Sequence, residues 1–171
     1  MRVVFIQGGG EGAHAEDARL AADLGERLGH PVGYPLMPRE DEPDYERWKP
    51  AIAAALVDAD VVVAHSIGGY LTVRYIAESG ALPSALFVIA APFPSGDSDW
   101  TFEGFDLPAD FGSRLADVPT FLYASPDDDV VPHAHLALYA RAIPGSIARD
   151  TTGGHQLGGD LSVVAADILE F

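Results

Sequence analysis

The 171-residue sequence has no cysteine. That excludes disulfides, thiolate metal sites and a cysteine nucleophile together, and leaves the redox compartment open. It is also poor in cations: ten Lys and Arg stand against 26 Asp and Glu, a formal net charge of −16. A surface this acidic repels phosphate backbones and anionic lipid, so nucleic acid and membrane surfaces are not expected partners. The charge reads as a solvated surface that aids solubility. No apolar run approaches the roughly 18 residues of a membrane span. Val3-Val4-Phe5-Ile6, after Met1-Arg2, is too short for the apolar region of a signal peptide and reads as a strand. The expected location is therefore the cytoplasm. Internal repeats, linkers and low-complexity segments are also missing, which points to one domain over residues 1–171. A chain of this length buries roughly two thirds of its unfolded surface, so it needs neither disulfide nor metal to hold a core.

What is present alternates between strand and helix patterns. Val3–Gln7 is an apolar run stopped by Gly8-Gly9-Gly10, and Glu16–Leu28 carries Ala18, Leu20, Ala21, Leu24 and Leu28 at helical spacing before Gly29. His30–Leu36 fits a short strand, Pro38–Pro43 a loop, and Asp44 a cap for a helix reaching about Val57. Asp60–Ala64, wholly apolar after its first residue, reads as a central parallel strand covered on both faces. Ile67–Glu78 is a helix, Ser84–Ala91 and Val118–Ala124 are strands, and Pro132–Ala142 is a helix. Ser146–Thr151 is a weaker strand and Leu161–Glu170 a closing helix. Repeated units of this kind predict an α/β three-layer sandwich, a mostly parallel sheet between helices, with ligands bound at the strand C-termini. The one long irregular stretch is Pro92–Asp117.

Three local patterns carry chemistry. Ala64-His65-Ser66-Ile67-Gly68-Gly69 sits where the best strand meets the next helix. A serine exposed on such a sharp turn needs small residues two before and two after it, because strand and helix backbones pass close together there. Ala64 and Gly68 meet that need. The Ile67 amide then faces a developing oxyanion at a helix N-terminus. The plainer reading of Ser66 is an ordinary helix cap. Second, Asp127-Asp128-Asp129 lies just past the end of a strand. Third, Gly153-Gly154-His155 follows the weak strand. Asp-rich turns and glycine loops are common separately. Their occurrence in order, each after a strand, points to a Ser–His–Asp triad of Ser66, His155 and one of the three aspartates.

At these residues the chain resembles the small serine hydrolases of the retinoblastoma-binding-protein-9/YdeN group, within the α/β-hydrolase superfamily. The likeness runs along the whole chain: Phe5-Ile6-Gln7-Gly8-Gly9-Gly10, Met37-Pro38 leading to Trp48, the His65-Ser66 elbow, the Asp-x-Val-Val-Pro segment and Gly-Gly-His. It implies a minimal α/β-hydrolase fold without a cap domain. It further implies Ser66 as nucleophile, His155 as base and Asp128 as orienting acid, four residues before Pro132. A second oxyanion amide is implied in the Gly8–Gly10 loop, from Gly9 or Gly10. Ala64 stands where the group usually has glycine.

The remaining candidates have quieter readings. His65 reads as a packing residue turned away from Ser66, His14 as a neighbour of the glycine loop, and His30 as a loop residue. His133 and His135 are two apart on a helix and face different ways, so no metal is expected, and no cofactor is implied. Phe93, Trp100 and Phe102 are read as a wall of the acyl pocket, the alternative being a small hydrophobic cluster under a long loop. A pocket walled by so short a segment favours short acyl chains. The leading expectation is hydrolysis of a small carboxylic ester or related acyl compound. A non-catalytic protein-interaction module on a hydrolase scaffold is the alternative. A flavodoxin-like nucleotide binder ranks last, because Gly8–Gly10 lacks both the Gly-x-Gly-x-x-Gly spacing and an adjacent basic residue. Oligomeric state is not legible.

Overall fold

The computed structural model describes residues 1–94, 98–101 and 104–171, with Ser98 in its backbone only. Five strands form one parallel sheet in chain order: β1 (Val3–Ile6), β2 (Val61–His65), β3 (Ala85–Ile89), β4 (Thr120–Ala124) and β5 (Ile147–Asp150). The register pairs Val3 with Val61, Val61 with Ala85, Leu86 with Thr120 and Phe121 with Ile147. The side-chain period of two sorts each strand onto two cores. Val4, Ile6, Val62, Ala64, Leu86, Val88 and Leu122 face one layer, while Val3, Phe5, Val61, Val63, Phe87, Ile89 and Tyr123 face the other. Both faces are covered, so β1 to β4 are buried throughout and read as unbroken apolar runs. The edge strand β5 is exposed along its length, which is why Ile147-Ala148-Arg149-Asp150 gives a weak signal.

The second core holds α1 (Ala13–Leu28) against α6 (Ser162–Glu170). The first holds α2 (Tyr45–Leu56), α3 (Ser66–Ser79), the short α4 (Phe111–Arg114) and α5 (Ala134–Ala142). The chain therefore leaves β1 over one face and returns to β2 over the other. In parallel sheets this reversal opens a crevice at the strand C-termini, here between the ends of β1 and β2.

Two expectations are corrected. His30–Leu36 does not form a strand: only Gly33 pairs, donating to the Val3 carbonyl and accepting from the Phe5 amide, each at 2.8 Å. Pro31 and Pro35 flank it and have no N–H for a ladder. Helix α1 begins at Ala13, three residues before Glu16, because its N-terminal amides find a distant partner. The Glu40 carboxylate accepts Gly12 N–H at 3.2 Å and His14 N–H at 2.6 Å. Asp44 caps α2 as expected, accepting the Arg47 amide at 3.0 Å. No described helix is long and apolar enough to cross a membrane.

Candidate active site

Ser66 stands at the junction of β2 and α3 with φ +53°, a left-handed conformation that side-chain-bearing residues adopt only when the surroundings enforce it. Close packing enforces it here. A Cβ on Gly68 would lie 1.9 Å from the Gln7 carbonyl oxygen, so α3 can approach the end of β1 only with glycine at that position. Ala64, the small residue on the other side of the elbow, is fully buried and fits.

The loops after β4 and β5 bring the other two groups to Ser66. His155 Nε2 lies 2.9 Å from Ser66 Oγ, and its Nδ1 lies 2.8 Å from Asp128 Oδ2. Asp128 Oδ1 accepts the Val130 and Val131 amides at 2.8 and 2.9 Å, so both carboxylate oxygens are occupied and the side chain is 1% exposed. Burial alone would raise its pKa. The hydrogen bond from His155 and those two amides outweigh burial and hold the carboxyl below its ordinary range. The flanking aspartates do other things. Asp127 accepts the Ser125 hydroxyl and, at 3.2 Å, the Gly154 amide, which ties the β4 loop to the histidine loop. Asp129 is exposed.

The Ile67 amide opens the first turn of α3, where helical N–H groups lack an intrahelical partner. In the glycine loop the Gly8 amide donates to Asp17 Oδ2 at 2.7 Å and the Gly10 amide to the Glu40 carbonyl at 2.6 Å. Of the two amides expected as the second oxyanion donor, Gly9 or Gly10, that of Gly10 is thereby committed elsewhere. Gly9 N–H has no partner among the described residues. The loop is close against the elbow: a Cβ on Gly9 would meet Ile67 Cγ2 at 2.6 Å. Gln7 braces it from below, accepting from His14 Nδ1 and Met37 N–H and donating to Glu40.

A cavity of about 850 Å³ opens over Ser66, His155 and Gly8–Gly10. Ile67, Pro43, Trp100 and Val130 give it apolar walls, and Glu16, Asp127 and Asp129 its charge. Trp100, one of the three aromatics expected in a pocket wall, lines this cavity. Phe93 is not: its ring packs on Tyr139 at 4.9 Å and Phe111 at 6.2 Å, and its amide donates to His135 Nδ1, which places it in the core under the loop. Phe102 lies outside the described residues. His133 pairs with Asp150 at 2.7 Å, so it and His135 serve separate partners.

Asp17 is the site residue that motif reading missed. It occupies the buried face of α1 with Ala13, Leu20, Ala21, Leu24 and Leu28. A carboxylate in an apolar helical stripe is the signal that could have found it. Gln156, which donates to Asp17 Oδ1 at 2.9 Å, carries no such signal.

Comparison with solved structures finds the same architecture over nearly the whole chain. The ydeN gene product from B. subtilis matches with TM-score 0.81 and 18% identity, covering 99% of this chain and 98% of that one. CarC, a serine hydrolase involved in carbazole degradation, matches with TM-score 0.72 and 18% identity, covering 99% and 90%. A structure described with LipS and LipT, two metagenome-derived lipolytic enzymes, matches with TM-score 0.71 and 18% identity, covering 98% of this chain and 91% of that one. At these identities the likeness establishes the fold, a small α/β-hydrolase. Among curated protein sequences none matches. A sequence model of the serine hydrolase family matches residues 35–158, well over half of the chain and inclusive of Ser66, Asp128 and His155; the protein belongs to the serine hydrolase family.

Proposed function

We propose that the protein hydrolyses small carboxylic esters through an acyl-enzyme on Ser66. The observation that carries this reading is the continuous relay from Asp128 through His155 to Ser66, at 2.8 and 2.9 Å, at the floor of an open cavity. With Nδ1–H donating to Asp128, His155 presents a bare Nε2 to the Ser66 hydroxyl. Ser66 Oγ attacks the acyl carbonyl while Nε2 takes its proton, and Asp128 stabilises the imidazolium that forms. The Ile67 and Gly9 amides receive the oxyanion. His155 then returns the proton to the leaving alkoxide, takes another from a water that attacks the acyl carbon, and passes it to Ser66 Oγ as the acid departs. A scaffold kept only for binding a partner has no use for this alignment.

Ile67, Pro43, Trp100 and Val130 line the apolar side of the cavity, and we assign short acyl chains to it. The test is labelling with a fluorophosphonate followed by peptide mapping. Wild type should be modified stoichiometrically at Ser66 and Ser66→Ala not at all. A folded wild type that resists the probe would remove this reading.

A further inference from the structure

Below the triad lies a second carboxylate–imidazole pair to which the serine chemistry assigns nothing. The side chains of His65 and Asp17 are 1% and 2% exposed. His65 Nδ1 lies 2.8 Å from Asp17 Oδ2, and its Nε2 lies 3.0 Å from the His155 carbonyl oxygen. A carbonyl oxygen only accepts, so Nε2 carries a proton. The Asp17 carboxyl is held below its ordinary range and so is ionised, and a carboxylate only accepts, so Nδ1 carries the other. Asp17 has two further ties: Oδ2 to the Gly8 amide and Oδ1 to Gln156 Nε2. One carboxylate on α1 therefore reaches three separate segments of the site. It holds the glycine loop at Gly8, the elbow through His65 beside Ser66, and the histidine loop at Gln156 and, via His65, at the backbone of His155.

We infer that Asp17 and a doubly protonated His65 form a buried ion pair that positions the oxyanion loop, the nucleophile and the base against one another. The catalytic part of this inference rests on the serine-hydrolase reading. The titratable groups facing His65 are Asp17 from α1, His155 from the loop after β5 and Asp128 from the loop after β4. Burial disfavours a charged His65, but its bond to Asp17 and the Asp17 charge outweigh that and raise its pKa. Both residues act through the groups they hold, so their loss should appear in turnover rather than in substrate binding. A displacement of reacting atoms of about 1 Å can lower turnover about 10²-fold.

The experiment combines imidazole nitrogen NMR, fluorophosphonate labelling and p-nitrophenyl acetate kinetics on wild type, Asp17→Asn and His65→Asn. Wild-type His65 should show two protonated ring nitrogens at neutral pH. In Asp17→Asn, which keeps shape and removes charge, it should show one. His65→Asn can still contact Asp17 but cannot reach the His155 carbonyl. Both variants should lose about 10- to 100-fold in kcat with KM within about threefold, and labelling should slow in parallel. A bare ring nitrogen on wild-type His65, folded variants within about twofold of wild-type kcat, or a change confined to KM would each overturn the inference. The wild-type spectrum decides the pairing even if a variant fails to fold. An unlabelled wild type would sink the hydrolase reading and the positioning role with it, and the ring spectrum separates that outcome from loss of the pair.

Discussion

Gly68→Ala is a substitution at the elbow for which the structure yields a definite expectation. The added methyl would sit 1.9 Å from the Gln7 carbonyl oxygen and 3.0 Å from its carbon, both backbone atoms at the end of β1. A carbon and a carbonyl oxygen touch at about 3.3 Å, so strand and helix must part by about 1.4 Å along that line. Neither partner yields easily. Gln7 is fully buried and bonded to Met37, His14 and Glu40, while α3 packs through Leu71 and Val73 into the core. Overpacking of this kind costs about 1–3 kcal/mol of stability. The functional cost should be larger, because the same shift carries Ser66 and the Ile67 amide away from Gly9. A displacement of this size in an aligned site lowers turnover about 10²-fold or more. Urea denaturation and p-nitrophenyl acetate kinetics on the same preparation would show both effects, and fluorophosphonate labelling should slow with turnover. A variant with unchanged urea midpoint and kcat within twofold of wild type would refute the close-approach account of the elbow. Ala64, fully buried at the first small position of the elbow, shows that a methyl fits there, whereas one on Gly68 would meet backbone.

Asp128→Asn should lower turnover by about 10⁴ with the fold retained. Asp127→Asn should act mildly through the Gly154 tie and Asp129→Asn hardly at all; a crippling effect at either neighbour in steady-state assays would contradict the relay. The Asp17 carboxyl is held low, against its burial, mainly by its hydrogen bond and charge interaction with His65, so it stabilises the fold above its ordinary range near pH 4 and loses that as pH falls through the folded value. His65, held high, stabilises below its ordinary range near pH 6.5 and loses that as pH rises through its folded value. Urea midpoints across this span should therefore fall on both flanks in wild type and flatten in Asp17→Asn; parallel curves would refute the linkage. Glu16, Asp127 and Asp129 line the cavity, and no lysine or arginine is among its described lining residues. Hemisuccinate esters should accordingly be hydrolysed more slowly than matched butyrates, with the gap narrowing as salt is added; equal rates at low salt would count against an acidic mouth.

The order of elements, the buried character of β1 to β4 and the three catalytic candidates are determined by local sequence. Apolar runs and helical spacing are short-range patterns, and the small residues around Ser66 are demanded by the turn itself. Even the wrong strand at His30–Leu36 is locally explicable, since Pro31 and Pro35 silence a ladder that the apolar content invites. The choice among Asp127, Asp128 and Asp129 was open on spacing alone. Three adjacent carboxylates are chemically alike, and only the path of the loop turns one toward His155, one toward Ser125 and one to solvent. Tertiary structure likewise removed Phe93 from the cavity, because its ring finds Tyr139 and Phe111, residues distant in sequence. It committed Gly10 to the Glu40 carbonyl and left Gly9 open. Above all it decided what Asp17 and His65 do. They are 48 positions apart, and their pairing across α1 and the elbow follows from burial, which makes an unpaired charged group costly and so favours whichever partner the packing brings within reach.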